Sequence, residues 1–398
     1  MVQWKKVRIQ DIGTVVGGAT PSTKIDANYK NGHISWITPK DLSTFEGRYI
    51  YTGERNITEM GLNSSSTVLM PKNSILFSSR APIGYVAIAG KELCTNQGFK
   101  SVIPNKKIDY LFLYYLLKYN KNKIENLGSG TTFKEVSGSV MKNVEVMIPE
   151  DIKEQKRIAA VLNSIDDKIE LNNEINDNLE QQLSNLFINL FAERISNLNK
   201  ESTSVLGDLI SVIDNRGKTP PLTNETVEYP IIDVGALKGL TRIVDYNNCT
   251  KFVSKETYNK WFRSGHPKEW DILLSTVGSL AEMKIYLGNK GCIAQNVVAL
   301  RSKSISPLYL YQYLNYIRND LIAYNIGSVQ PSIKVTHIIK HPIYVPSNEE
   351  LEYFNRIARP ITEQLFARYN ENEELKQLRD TLLPKLMSGE IDVDSIEL

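Results

Sequence analysis

The stretch IPEDIKEQKRIAAVLNSIDDKIELNNEINDNLEQQLSNLF, from Ile148 to Phe187, has no glycine and a single proline at its second position. It reads as one long polar helix, with Glu150 or Asp151 expected to cap its start. Ile158, Leu162, Ile165, Ile169, Asn172, Asn176, Leu179, Leu183, Leu186 and Leu190 alternate spacings of four and three. That is a coiled-coil seam with two asparagines at its middle. A helix of this kind spans roughly 60 Å, and its narrow apolar stripe needs a partner helix. A second segment, VPSNEELEYFNRIARPITEQLFARYNENEELKQLRDTLLPKL from Val345, supplies one through Ile357, Ile361, Leu365, Asn372, Leu375, Leu378, Leu382 and Leu386. Pro360 is expected to kink or restart it, and Pro384 and Gly389 to mark its end. A chain that goes out along one helix returns most simply along the other. The expectation is an antiparallel pair near 152–194 and 348–388, with globular parts at opposite ends and no shared core.

The chain also repeats itself. CTNQGFKSVIP from Cys94 matches CIAQNVVALRS from Cys292, and YLFLYYLLKYNKNKIENLGSG from Tyr110 matches YLYQYLNYIRNDLIAYNIGSV from Tyr309. Arg157-Ile158-Ala159 recurs as Arg356-Ile357-Ala358, and all these landmarks keep one order at a displacement of 198 or 199. The protein is therefore a tandem duplication of one unit, a globular part followed by a long helix. Within each globular part, short β-rich runs (HISWIT, SILFSS, GYVAIAG, YPIIDVG) alternate with Gly, Pro, Asn and Ser. An aromatic amphipathic helix follows near 108–126 and again near 306–324; at helical spacing its YLFLYYLLKY stripe reads as core rather than as a base-stacking platform. The expected fold class is mixed α/β, with two related domains separated by two long antiparallel helices in a pseudo-two-fold repeat. The expected segments are 1–148, 149–197, 198–345 and 346–398.

Charge follows the same division. The net charge of +2 resolves into +7 for residues 1–150, −3 for 151–200, +4 for 201–346 and −6 for 347–398. Basic globular parts between acidic helices suit a polyanionic ligand. No apolar run approaches the roughly 18–20 residues of a membrane span, the start MVQWKKVRIQDIG lacks a secretory pattern, and three cysteines fit a reducing compartment. The expected location is the cytoplasm, with no membrane partner. No Walker A motif, HExxH or paired CxxC is present, and His337 and His341 fall in VTHIIKHPIYVP, which reads as a strand. PEDIKEQK (149–156) mimics a nuclease pattern, but its acids crowd a helix start and its counterpart PSNEELEY lacks the lysine. No catalytic, metal or cofactor-binding residue is expected in this chain.

MIPEDIKEQKRIAAVLNSIDDKIE resembles the conserved-region helix of specificity (S) subunits of type I restriction–modification systems. GGATPS (17–22), SSRAPIG (78–84) and TNQGF (95–99) resemble motifs of their target recognition domains. The resemblance covers essentially the whole chain, in the family's order of domain, helix, domain, helix. The second half departs from it, with NRGKTPP for the glycine-threonine-proline loop, STVGSLA for the Ser-Arg loop and ELEYFNRI for EQKRI. The resemblance implies that each globular part reads half of a bipartite site in double-stranded DNA. It further implies that the helices dock two methyltransferase subunits, and that motor–nuclease subunits add restriction. S-adenosylmethionine, ATP and Mg would then belong to those partners, and this chain would not itself be an enzyme. Two diverged readers in one chain suit an asymmetric site, whereas identical readers suit a palindrome. The alternative is a helix-mediated interaction scaffold without DNA specificity.

Candidate DNA contacts are polar or basic loop residues at matching places. In the first half they are Thr20, Ser22, Lys24, Ser79, Arg80, Gln97, Ser129, Thr131, Thr132 and Lys134; in the second, Arg216, Lys218, Thr219, Ser275, Thr276, Gln295, Asn296, Ser328, Gln330, Ser332 and Lys334. Arg80 and Arg216 are candidate guanine readers, and Gln97 and Gln295 are either adenine readers or framework shared by both halves. The lysines suit phosphates.

Overall fold

The computed structural model describes residues 2–80, 82–130, 134–198, 204–217, 219–223, 229–239, 241–288 and 290–395. Thr131, Thr132 and Lys218 lie outside the described residues. The chain forms two compact units, and they divide the helices differently from the four expected segments. One unit runs to Glu170 and takes in the chain from Glu373 on; the other runs from Leu171 to Asn372. Each unit therefore holds the start of one long helix and the end of the other. The helices themselves span Ile152–Ser196 and Asn348–Ser388.

In the first unit, five strands lie in the order Gly13–Gly17, Lys100–Pro104, Ile75–Ser79, Ile83–Ala89, Tyr49–Ile50. A smaller sheet orders Arg55–Ile57, Ile34–Ile37 and Cys94–Thr95. Every residue of Ile75–Ser79 is buried, as a strand covered on both faces requires. Helix Tyr110–Tyr119 covers one of those faces. Asp109 caps it by accepting from the Leu111 and Phe112 amides, and Phe112 through Leu117 are all buried. The aromatic stripe is core. Strand Trp4–Arg8 pairs antiparallel with Glu145–Pro149, which leads into the central helix, where Asp151 Oδ1 accepts from Lys153 N (2.8 Å).

The globular part grips that helix with one arginine. Arg48, 5 % exposed, donates to Glu170 (2.9 and 2.7 Å), Asp167 (2.5 Å) and Asn163 (2.5 Å), which share one helix face at spacings of four and three. Burial pulls its pKa down, but the bonds to Glu170 and Asp167 outweigh this and hold it firmly charged. Beside it, Asp166 accepts from Tyr115 (2.7 Å) and from Arg379 of the terminal helix (2.8 Å).

The second unit repeats the plan. Its larger sheet orders Ile210–Ile213, Val297–Ser302, Ile272–Ser275 and Met283–Ile285; its smaller one orders Phe252–Val253, Tyr229–Ile232 and Cys292–Ile293. Helix Pro307–Tyr316, capped by Ser306, takes the place of the earlier aromatic helix. Arg242, 1 % exposed, donates to Glu180 (2.8 and 2.6 Å) and to Thr362 (3.0 Å). Thr362 stands 199 positions after Asn163, so one contact of each arginine falls at equivalent helix positions, while the carboxylates they meet do not.

Within each unit the helices run antiparallel, as expected. Asp166 meets Arg379 in one unit; in the other, Asn172 meets Asn372 (2.8 Å) and Arg194 meets Glu350. Asn372 also donates to Asn173 (2.8 Å), its own counterpart in the repeat. The buried Asn172 and Asn176 confirm the polar break in the seam, and the Asn172 amide donates there to Asn372 and to Glu371 (2.8 and 2.9 Å).

Four expectations need correction. The terminal helix runs unbroken through Pro360, which lies on an exposed face while Phe354, Ala358, Thr362 and Leu365 hold the buried one; it continues past Pro384 to Ser388. Gly389 ends it, at φ +73°. Leu378 is exposed rather than part of the seam. VTHII is a helix, Val335–Ile339, with His337 on it, because its Ile338 and Val335 face a core that overrides β-branched propensity. Finally, the central helix is more than a coiled-coil strand: Phe187 and Phe191 leave the seam and pack against Tyr309 and Phe354 at ring separations of 5.1 to 6.2 Å.

Phe191→Ala is accordingly expected to destabilise the second unit by about 3 kcal/mol, as large-to-small changes in a packed core do. Leu171→Ala, at a side chain 51 % exposed, should stay within about 0.5 kcal/mol. Denaturant titration of the two variants checks both values, and equal effects would rule out a globular core built on the helix end.

Candidate nucleic-acid interface

In each unit, loops far apart in sequence are laced together by hydrogen bonds at matching positions. In the first, Thr20 Oγ1 donates to Gln97 Oε1 (2.5 Å), Ser79 N to Gly98 O (2.7 Å) and Val136 N to Ser79 O (2.9 Å). Ser129 and Glu135 exchange backbone bonds (3.0 and 2.9 Å). In the second, Gln295 Nε2 donates to Thr219 Oγ1 (3.3 Å) and Gly217 O (3.2 Å). There Thr276 N donates to Asn296 O (2.8 Å), Ile333 N to Thr276 O (2.8 Å) and Ile326 N to Ser332 O (2.9 Å). The lacing demands close approach. A Cβ on Gly18 would lie 2.1 Å from the Thr95 carbonyl oxygen, which is why a glycine precedes the Ala-Thr-Pro turn.

This arrangement gathers Thr20, Arg80, Gln97 and Ser129 in one unit and Thr219, Gln295, Asn296 and Ser332 in the other. Ser22, Lys24, Gln97, Ser129, Lys134, Arg216, Thr219, Ser328, Gln330 and Lys334 are exposed. Lys24 stands apart, on the turn before the short helix Asp26–Asn28. Three candidates are not surface groups at all. Ser79, Ser275 and Thr276 are fully buried. The Ser79 hydroxyl donates to Gly98 O (3.1 Å), that of Ser275 to Ser279 O (2.6 Å), and that of Thr276 to Asn296 O (3.5 Å). A short hydroxyl at the end of a buried strand satisfies the loop backbone beside it, so these residues shape the surface without presenting themselves on it.

Both candidate guanine readers are held by carboxylates. Arg216 lays Nε and Nη2 on Asp214 (2.9 and 2.5 Å). Burial alone would raise the Asp214 pKa, but the side-chain and backbone bonds from Arg216 outweigh it and hold the carboxyl below its usual range. Arg80 lies 3.7 Å from Glu135, which also takes Lys100 at 3.3 Å. Sequence reasoning passed over Asp214, Glu135 and Lys100. The signal available was an acid two residues before Arg216 and another beside Lys134. Such an acid orients a guanidinium and weakens the local pull on phosphate.

Asp214→Asn should therefore free Arg216. Affinity for a random duplex should rise, and the log–log salt dependence should steepen by about 0.9, one phosphate contact. Fluorescence anisotropy across a salt series reads both; an unchanged slope would mean that Arg216 lies away from the DNA.

A family model described as the type I restriction modification DNA specificity domain matches residues 1–181 and again 199–378, one match for each repeat. The chain is 34 % identical over 413 residues to the type I restriction enzyme MjaIX specificity subunit of Methanocaldococcus jannaschii, covering 99 % of this chain and 94 % of that one. It is 30 % identical over 189 residues to the EcoR124I/EcoR124II specificity subunit of Escherichia coli, covering 46 % and 44 %. Its fold is similar to the crystal structure of the S subunit of a type I restriction–modification system from M. genitalium, with a TM-score of 0.57, 19 % identity, and 97 % and 96 % of the two chains covered. Two specificity-domain matches, on the two halves that the repeat and the loop lacing had already paired, make the assignment: the chain belongs to the family of type I restriction–modification specificity subunits.

Proposed function

We propose that this chain reads an asymmetric, bipartite sequence in double-stranded DNA, each unit contributing one half-site. As a specificity subunit it is the DNA-recognition component of a type I restriction–modification complex and not its catalyst. In the reading proposed here the helices dock two methyltransferase subunits, and motor–nuclease subunits join them for restriction. S-adenosylmethionine, ATP and Mg bind to those partners. The complex works in the cytoplasm; among the described residues no helix is long and apolar enough to cross a membrane.

The observation that carries this reading is a matched frame holding unmatched loops. The bonds at Ser79 and Thr276 recur, yet SSRAPIG faces STVGSLA and GSGTTFKEVS faces GSVQPSIKVT. A shared frame sets each loop cluster on the duplex in the same way, and different side chains on it match different base edges. The half-sites should then be exchangeable. Replacing residues 1–148 with the equivalent part of a relative, strand Trp4–Arg8 and nearly all of its partner strand included, should change one half of the genome-mapped methylation site. A change in both halves, or in neither, refutes modular recognition. Lys134→Ala should instead weaken binding to all sequences and flatten its salt dependence by about 0.9.

A further inference from the structure

The two glutamines at matching positions are held differently, and the difference has a chemical consequence. Among the described residues Gln97 meets only the hydroxyl of Thr20, a group that serves as donor or acceptor. Gln295 meets the backbone carbonyl of Gly217 (3.2 Å) as well as the Thr219 hydroxyl (3.3 Å). A carbonyl only accepts, so the side of the Gln295 amide facing the loop must be its NH2. Both bonds are made by that one group. What remains is Oε1, an acceptor with no donating partner among the described residues. A bidentate adenine contact needs the NH2 as well as the oxygen and would compete with these bonds.

We propose that Gln295 is a specificity-determining residue that reads one amino-bearing base, adenine or cytosine, through Oε1 in the second unit's half-site. The proposal rests on the reading of this unit as a DNA reader. In the major groove adenine offers its N6 amino group and cytosine its N4, whereas guanine and thymine present oxygen acceptors at those places and would oppose Oε1. The residue therefore separates amino from keto bases on one strand and does not by itself tell adenine from cytosine. Thr219 and Gly217 are positioning groups, since they set which end of the amide faces outward.

The test uses the complete methyltransferase complex, with methylated sites mapped genome-wide for the wild type and Gln295→Leu. One position of the second half-site should lose about tenfold in discrimination and newly admit guanine or thymine on the strand being read. The first half-site should be unchanged. A binding cycle supplies the second measurement. Duplexes in which a single adenine is replaced by purine, or a single cytosine by its analogue lacking the N4 amino group, should bind the wild-type complex about tenfold more weakly at that position. Gln295→Leu should be indifferent to the same replacement. If the wild type discriminates bases but no position couples to Gln295, or the relaxed position admits only the other amino base, this inference is wrong and the reader assignment stands. A wild-type complex with no sequence preference would overturn both.

Discussion

A guanidinium withdrawn from water costs several kcal/mol unless carboxylates meet it, and each unit is organised around meeting one. Arg48 and Arg242 are the largest charged side chains that the globular parts drive into their interiors, and both end on a helix. Apolar packing is tolerant of small slides, but a forked donor on a pair of oxygens is not. The sheets, the loops they carry and the surface those loops form are thus referred to the helix through contacts centred on that arginine. The wider lesson is a division of labour: leucines and phenylalanines supply burial, and one buried ion pair supplies orientation.

Much of this was legible in the sequence, and the parts that were not share a cause. The repeat followed from matched segments, both long helices and the aromatic helices from spacing, and the antiparallel course from the path the chain must take back. Periodicity reports which face of a helix is buried, however, and is silent on what buries it. Phe187 and Phe191 lie outside the four-and-three seam, and the surface that covers them, Tyr309 and Phe354, comes from elements more than 100 residues away. Division of each helix between two units escaped notice for the same reason. At the loops the limit was different. Thr20, Thr219, Gln97 and Gln295 stood out as repeated, but repetition alone does not separate a frame residue from a contact residue. Burial does, and Ser79, Ser275 and Thr276, fully buried, fall within the frame.

The same bonds explain why the two halves have drifted so far in sequence without losing their plan. Most of the lacing runs through backbone groups, which any residue supplies. Side chains at the loop tips, such as Val329 at 98 % exposure, carry no part of it. Substitution at the tips leaves the frame unstrained.

Glu180 and Arg379 occupy equivalent places in the two helices, 199 positions apart, with opposite charge. Glu180 neutralises Arg242 in one unit, and Arg379 meets Asp166 in the other. A copy of the central helix laid over the terminal one would set a glutamate against Asp166, and the reverse copy would set an arginine against Arg242. Either product would confine like charges where their partners now lie, so the charge inversion penalises homogenisation. Each helix is thereby matched to its own partners, and neither can stand in for the other.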